Sequence, residues 1–129
     1  MDTKQIVRYW IKETQEDIPV ADHLFAAGDY TYSLFFCHLF IEKLLKALVV
    51  ARTAAHAPPI HNLIVLSEKA LLPLRPEQAD LLRELMRFNI ESRYPKDRES
   101  LRQACGRDYT REKLTASREL AQWLIEKTK

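Results

Sequence analysis

Residues 87–95 read RFNIESRYP, and this stretch holds side chains whose types and spacing could do chemistry. Arg87 is followed after four residues by Ser92, then two positions later by Tyr94, and Pro95 ends any helix there. A histidine at position 92 would give this frame acid–base chemistry on RNA. With serine there, three readings stand: a silent active site, a binding site, or a helix end with no chemistry. Arg87 and Tyr94 are seven apart, about two helical turns, so a continuing helix would place both on one face. A guanidinium fork and a phenol ring aimed at one place suit phosphate and base contacts, with Asn89 and Arg93 beside them. The plainer alternative is that cations at a helix C-terminus complement its dipole. Nine Lys/Arg between Arg87 and Arg118 tilt the reading toward binding.

A second group lies earlier in the chain. FIEKLLKAL places Glu42 and Lys46 four apart on the polar edge of an apolar helix. They form either an intrahelical ion pair worth about 0.2–0.5 kcal/mol or the few polar groups facing a cleft or partner. His61 follows a Pro-Pro loop at a helix start, where backbone N–H groups can receive an anion. The alternative is a histidine that orders the loop by hydrogen bonding to the bundle. His38 shares a face with Glu42, but two residues without a third make no metal site. Cys37 and Cys105 show no CxxC or Cys/His pairing and imply neither a metal nor a disulfide framework. No phosphate loop, dinucleotide fingerprint, serine-hydrolase elbow or zinc-protease motif is present. The expectation is no cofactor and no metal.

Helices must position these groups. The apolar spacing predicts a first helix from about Lys4 to Ala27, with Pro19 as a kink or restart. Gly28 and Asp29 read as a C′ glycine followed by an N-cap. The helix from about Tyr30 to Arg52 is apolar around most of its circumference. It therefore needs burial on more than one side, at the centre of a bundle or in a dimer interface. Residues 55–60 form a loop, and Asn62 caps a third helix reaching about Leu72. Pro76 starts a fourth, whose stripe of Leu81, Leu82, Leu85, Met86 and Ile90 continues to RYP. Residues 95–109 read as irregular, and Thr110 as the cap of a last helix. Five helices without a convincing strand predict an all-α, four- to five-helix up-and-down bundle.

A chain of 129 residues fits a single domain with one modest core, residues 1–129. The net charge of +2 hides an asymmetry: residues 1–86 carry −2 and residues 87–129 carry +4. No apolar run reaches the roughly 20 residues that span a bilayer, and the N-terminus lacks a signal peptide's apolar core. Free thiols and the missing export signal favour the cytoplasm, with no membrane partner.

The run LFAAGDYTYSLFFCHLFIEKLLKALVV, then PPIHNLIVL, then ESRYP, resembles HEPN domains over roughly residues 5–127. The hallmarks are Gly28-Asp29-Tyr30 before the long helix, the Glu-Lys and Lys-Ala of IEKLLKA, the histidine of IHNL, and RYP. The resemblance implies a helical bundle that forms a homodimer and partners a minimal nucleotidyltransferase in toxin–antitoxin-type modules. Many such domains are metal-independent ribonucleases built on an arginine, four to six residues, and a histidine, sometimes with a tyrosine two positions later. In some modules the partner adenylylates that tyrosine. In this chain Arg87 matches the arginine, Tyr94 the tyrosine and modification site, and Ser92 stands where the shortest-spaced histidine would be. No histidine follows His61, and a serine hydroxyl does not exchange protons near neutrality as imidazole does. The expectation is therefore a non-catalytic or weakly catalytic protein with no committed catalytic residue. It would bind nucleotide or RNA phosphate through Arg87, Asn89, Arg93, Tyr94, His61, Glu42 and Lys46. The alternatives are a ribonuclease toxin using a different base, and a purely structural dimeric interaction module.

Overall fold

The computed structural model describes residues 2–90 and 93–129, and all regular structure among them is helical. Six helices follow in order: α1 (Thr3–Ala26), α2 (Tyr30–Thr53), α3 (Leu63–Lys69), α4 (Pro76–Met86), α5 (Pro95–Ala104) and α6 (Arg107–Lys127). The all-α expectation holds, with one helix more than the spacing indicated.

Asp2 and Gln5 satisfy each other's backbone at the start of α1: Gln5 N–H donates to the Asp2 carboxylate at 2.8 Å, and Asp2 N–H to the Gln5 amide oxygen at 2.9 Å. Pro19 sits within α1, and the helix continues through it without a restart. At its end Gly28 takes the left-handed φ of 82°. This lets Gly28 N–H reach the Phe25 carbonyl at 3.0 Å and Asp29 N–H the Leu24 carbonyl at 2.8 Å. Asp29 occupies the N-cap position of α2 but makes no side-chain cap bond. The turn is fixed by glycine geometry rather than by the aspartate.

The two long helices pack antiparallel. Thr14 Oγ1 donates to the Phe40 carbonyl at 3.4 Å, Ser33 Oγ to the Ala21 carbonyl at 2.8 Å, and Lys43 pairs with Asp17 at 2.6 Å. α2 also touches α3, α4, α5 and α6. Leu34, Phe40, Ile41, Leu44, Leu45 and Leu48 are completely buried within one chain. The all-round apolar character of α2 thus reflects a central helix, and its burial needs no second copy.

Asn62 caps α3 as expected, accepting from Val65 N–H at 3.0 Å, but α3 stops at Lys69. Leu71 then adopts a φ of 55°, and Arg52 reaches from the end of α2 to its carbonyl at 2.9 Å. α4 begins at Pro76, a first-turn proline as expected. It ends at Met86, four residues before the expected Ile90. Phe88 and Ile90 are apolar and buried, but they enter the core from a turn. The segment 95–109 is not irregular: it contains α5, opened by Pro95, and the start of α6. Thr110 is not a cap either. It lies in the first turn of α6, where its Oγ1 donates back to the Gly106 carbonyl at 2.6 Å.

Candidate functional site

The structure brings Glu42, Lys46 and His61 into one cluster and adds His38 and Trp10. Glu42 and Lys46 are consecutive turns of α2, and the loop after residue 54 returns His61 to them. His61 Nδ1 lies 2.9 Å from Glu42 Oε1, and Lys46 Nζ lies 3.2 Å from Oε2. A carboxylate only accepts, so His61 Nδ1 carries the hydrogen and Nε2 is left for other partners. The Glu42 and Lys46 side chains are buried, whereas that of His61 is 65 % exposed. Lys46 Nζ also sits 5.8 Å over the Trp10 ring. The ion pair weighed for Glu42 and Lys46 therefore exists, and its carboxylate anchors a largely exposed imidazole.

His38 lies under this cluster. Its Nε2 is 3.3 Å from the His61 carbonyl and 3.8 Å from Glu42 Oε1, while its buried Nδ1 has no hydrogen-bond partner among the described residues. Burial holds the His38 pKa below its ordinary value of 6.5, against the opposing pull of Glu42. Above that value both folded and unfolded imidazoles are neutral. Below it the unfolded chain takes up a proton that the folded chain resists, so stability is lost as pH falls toward the depressed folded value. Urea denaturation at descending pH should show wild type losing up to about 1.4 kcal/mol per pH unit more than His38→Gln below pH 6.5. Parallel curves would remove His38 as the source.

The arginine-rich group is built differently from the expectation. Arg87 is the C-cap of α4 and Tyr94 the N-cap of α5, so no continuous helix carries the two on one face. Instead the break turns Arg93 back. Its Nη2 donates to the Met86 carbonyl at 3.3 Å, and Arg98 Nε donates to the Ile90 carbonyl at 2.8 Å. The plainer role weighed for these cations, satisfying the C-terminal end of a helix, is thus realised by Arg93. Arg87 and Arg93 also line one shallow cavity of about 190 Å³ with Asp97, Ser100 and Leu101. Asn89 is partly buried in the turn between them. Tyr94 is 79 % exposed. Ser92 lies outside the described residues, so its place relative to Arg87 and Tyr94 is not described.

Two residues absent from the sequence reading complete this region. Glu84 Oε1 accepts from Arg87 Nη1 at 2.5 Å and also from the Tyr109 hydroxyl. Burial works to raise the Glu84 pKa, but the Tyr109 hydrogen bond and Arg87 together hold it below the usual value. Burial, reinforced by Glu84, pushes the Tyr109 phenol above its ordinary range. The Glu84–Arg87 pair was readable as an i,i+3 spacing. Tyr109 is not, because it reaches Glu84 across twenty-five residues, a contact that no local spacing encodes.

Both cysteines are buried thiols, and burial raises Cys37 to about 12, which leaves it inert as a nucleophile. Among the described residues, no helix is long and apolar enough to cross a membrane. No curated protein and no solved structure matches this chain. The model of the HEPN domain matches residues 7–129, almost the whole chain and all of the bundle but the first turn of α1, and the chain therefore belongs to the HEPN domain family.

Proposed function

We propose that this HEPN protein binds the phosphates of a nucleotide or of RNA at the α4–α5 junction, and that it partners a minimal nucleotidyltransferase. The observation that supports this most is the convergence of Arg87 and Arg93 on one open cavity, whose lining is completed by Asp97, Ser100 and Leu101. Among the described residues, Arg93 gives one donor to Met86 and Arg87 one to Glu84. A guanidinium has five, so both retain donors for phosphate oxygens. Asn89 and Tyr94 adjoin these arginines in sequence, and the exposed Tyr94 ring is of a type that suits base stacking.

His61, with Glu42 and Lys46 behind it, is the second polar element of the reading. A solvent-facing Nε2 on an imidazole braced by a buried carboxylate can contact a ligand at a fixed tautomer. The protein acts in this reading as a homodimeric, non-catalytic or weakly catalytic binding module. Binding of labelled single-stranded RNA or ATP at low salt tests it, with Arg87→Ala/Arg93→Ala as the control. No binding by wild type, or none lost in the double variant, removes the reading.

Tyr94 is the modification site in this account, supported by its exposure of 79 % against 48 % for Tyr9 and 40 % for Tyr32. Incubation with a cognate nucleotidyltransferase and ATP should add AMP to wild type and not to Tyr94→Phe, read by intact mass. Equal addition to both would place the modification elsewhere.

A further inference from the structure

We infer that Glu84 and Tyr109 are positioning residues that preset the Arg87 guanidinium for phosphate; this rests on the binding role proposed above for Arg87. Arg87 terminates α4, and its side chain is half exposed. An arginine at a helix end with no anchor samples many rotamers, and binding must then fix them at a cost in entropy. Here Glu84, one turn back, takes Arg87 Nη1 at 2.5 Å on Oε1. The same oxygen receives the Tyr109 hydroxyl from α6, twenty-five residues away in sequence.

The arrangement has a direction. Glu84 can swing on its own helix, but a hydroxyl delivered from α6 fixes its carboxylate. Tyr109 is itself held: its ring lies 6.3 Å from that of Phe88, which is buried, and Lys113 Nζ sits 5.5 Å over the Tyr109 ring. The chain of contact runs from α6 through Tyr109 and Glu84 to Arg87. Beyond it is the cavity that Arg87 shares with Arg93 and Ser100. A carboxylate beside an arginine could equally mask it from phosphate. Both the hydroxyl and the guanidinium bond to the same oxygen, which spreads that oxygen's charge over two donors and weakens its competition with an incoming phosphate.

The two roles predict opposite outcomes. A mask, once removed, leaves Arg87 freer to bind; a brace, once removed, leaves it disordered. Glutamine at position 84 keeps an oxygen that can accept from both donors and discards the charge. Binding of a short fluorescent single-stranded RNA at low salt is measured for wild type and for Glu84→Gln, Glu84→Ala, Tyr109→Phe and Arg87→Ala. All are first verified as folded by circular dichroism. Tyr109→Phe and Glu84→Ala should each bind roughly threefold to tenfold more weakly, and Glu84→Gln should stay within about twofold of wild type. Adding Tyr109→Phe to Arg87→Ala should change affinity by less than about twofold, because the tyrosine acts through the arginine.

Relaxation of the Arg87 Nε–H group by NMR gives a readout that needs no ligand. It should be rigid in wild type and Glu84→Gln and mobile in Tyr109→Phe and Glu84→Ala. Unchanged or tighter binding by Tyr109→Phe and Glu84→Ala, with Arg87→Ala weakened, overturns the positioning role and leaves the binding role standing. Equal rigidity of Arg87 in all four proteins overturns it as well. If Arg87→Ala itself binds like wild type, the underlying role of Arg87 fails and the positioning role falls with it.

Discussion

Glu42→Ala should destabilise the protein by about 3–5 kcal/mol, the range for breaking a buried ion pair on one side. Glu42 is 6 % and Lys46 9 % exposed on the central helix. Removing the carboxylate leaves the Lys46 ammonium in a nearly dry position, over the Trp10 ring and without its carboxylate partner. It also deprives His61 of its only side-chain partner among the described residues. The cost is therefore that of an orphaned charge, and a second change isolates it. Lys46→Met on the Glu42→Ala background should recover most of the loss, because it removes the charge while keeping the stem's volume. Urea denaturation followed by circular dichroism measures both. A loss below about 1 kcal/mol for Glu42→Ala would mean that water reaches Lys46 and that the pair is a surface bridge. A substitution so costly also has a practical consequence: lost binding in Glu42→Ala says nothing about ligand contact until folding is restored. His61→Ala, at an exposed side chain, is the variant that probes the ligand.

The second large effect is on binding. Arg87→Ala/Arg93→Ala removes two of the phosphate contacts proposed for the α4–α5 cavity. Each contact on a single strand contributes about 0.7 to the slope of log affinity against log salt. The double variant should therefore bind RNA at least tenfold more weakly at low salt, with a slope shallower by about 1.4. The fold should survive. Arg87 is exposed, and its partner Glu84 keeps the Tyr109 hydroxyl. Arg93 satisfies one carbonyl at a helix end that water can also reach. The loss would thus appear in affinity, against little change in stability.

Those two effects fall on features that the sequence exposed to different degrees. α2 was legible to within a residue, because a helix apolar on every side has only one physical explanation, burial on every side. Its neighbour in importance, α5, was not. Leu101 is its one buried side chain, so no apolar stripe marks PKDRESLRQA as helical. The end of α4 was misplaced for the opposite reason. Phe88 and Ile90 continue the apolar spacing past Met86, yet the chain has left the helix and delivers them to the core from a turn.

The same contrast holds for the site. Glu42 and Lys46 are four apart and readable as a pair. That His61 completes them depends on a loop returning across nineteen residues, which no local spacing encodes. The seven-residue argument for Arg87 and Tyr94 presumed an unbroken helix, and a helix end followed by a helix start replaces it. Arg87 instead meets Arg93 across the break. Residue chemistry is legible in the sequence, while the geometry that joins Glu42 to His61 and Arg87 to Arg93 comes from the tertiary fold.

The phosphate-binding role proposed for the α4–α5 junction has a simple test. Titration of a labelled single-stranded RNA across a range of salt concentrations, with wild type and Arg87→Ala/Arg93→Ala side by side, tests it most directly. Wild type should bind with an affinity that weakens linearly in log–log form, and the double variant should be both weaker and less salt-sensitive by about two contacts. Superimposable titrations of the two proteins, both folded, would contradict it.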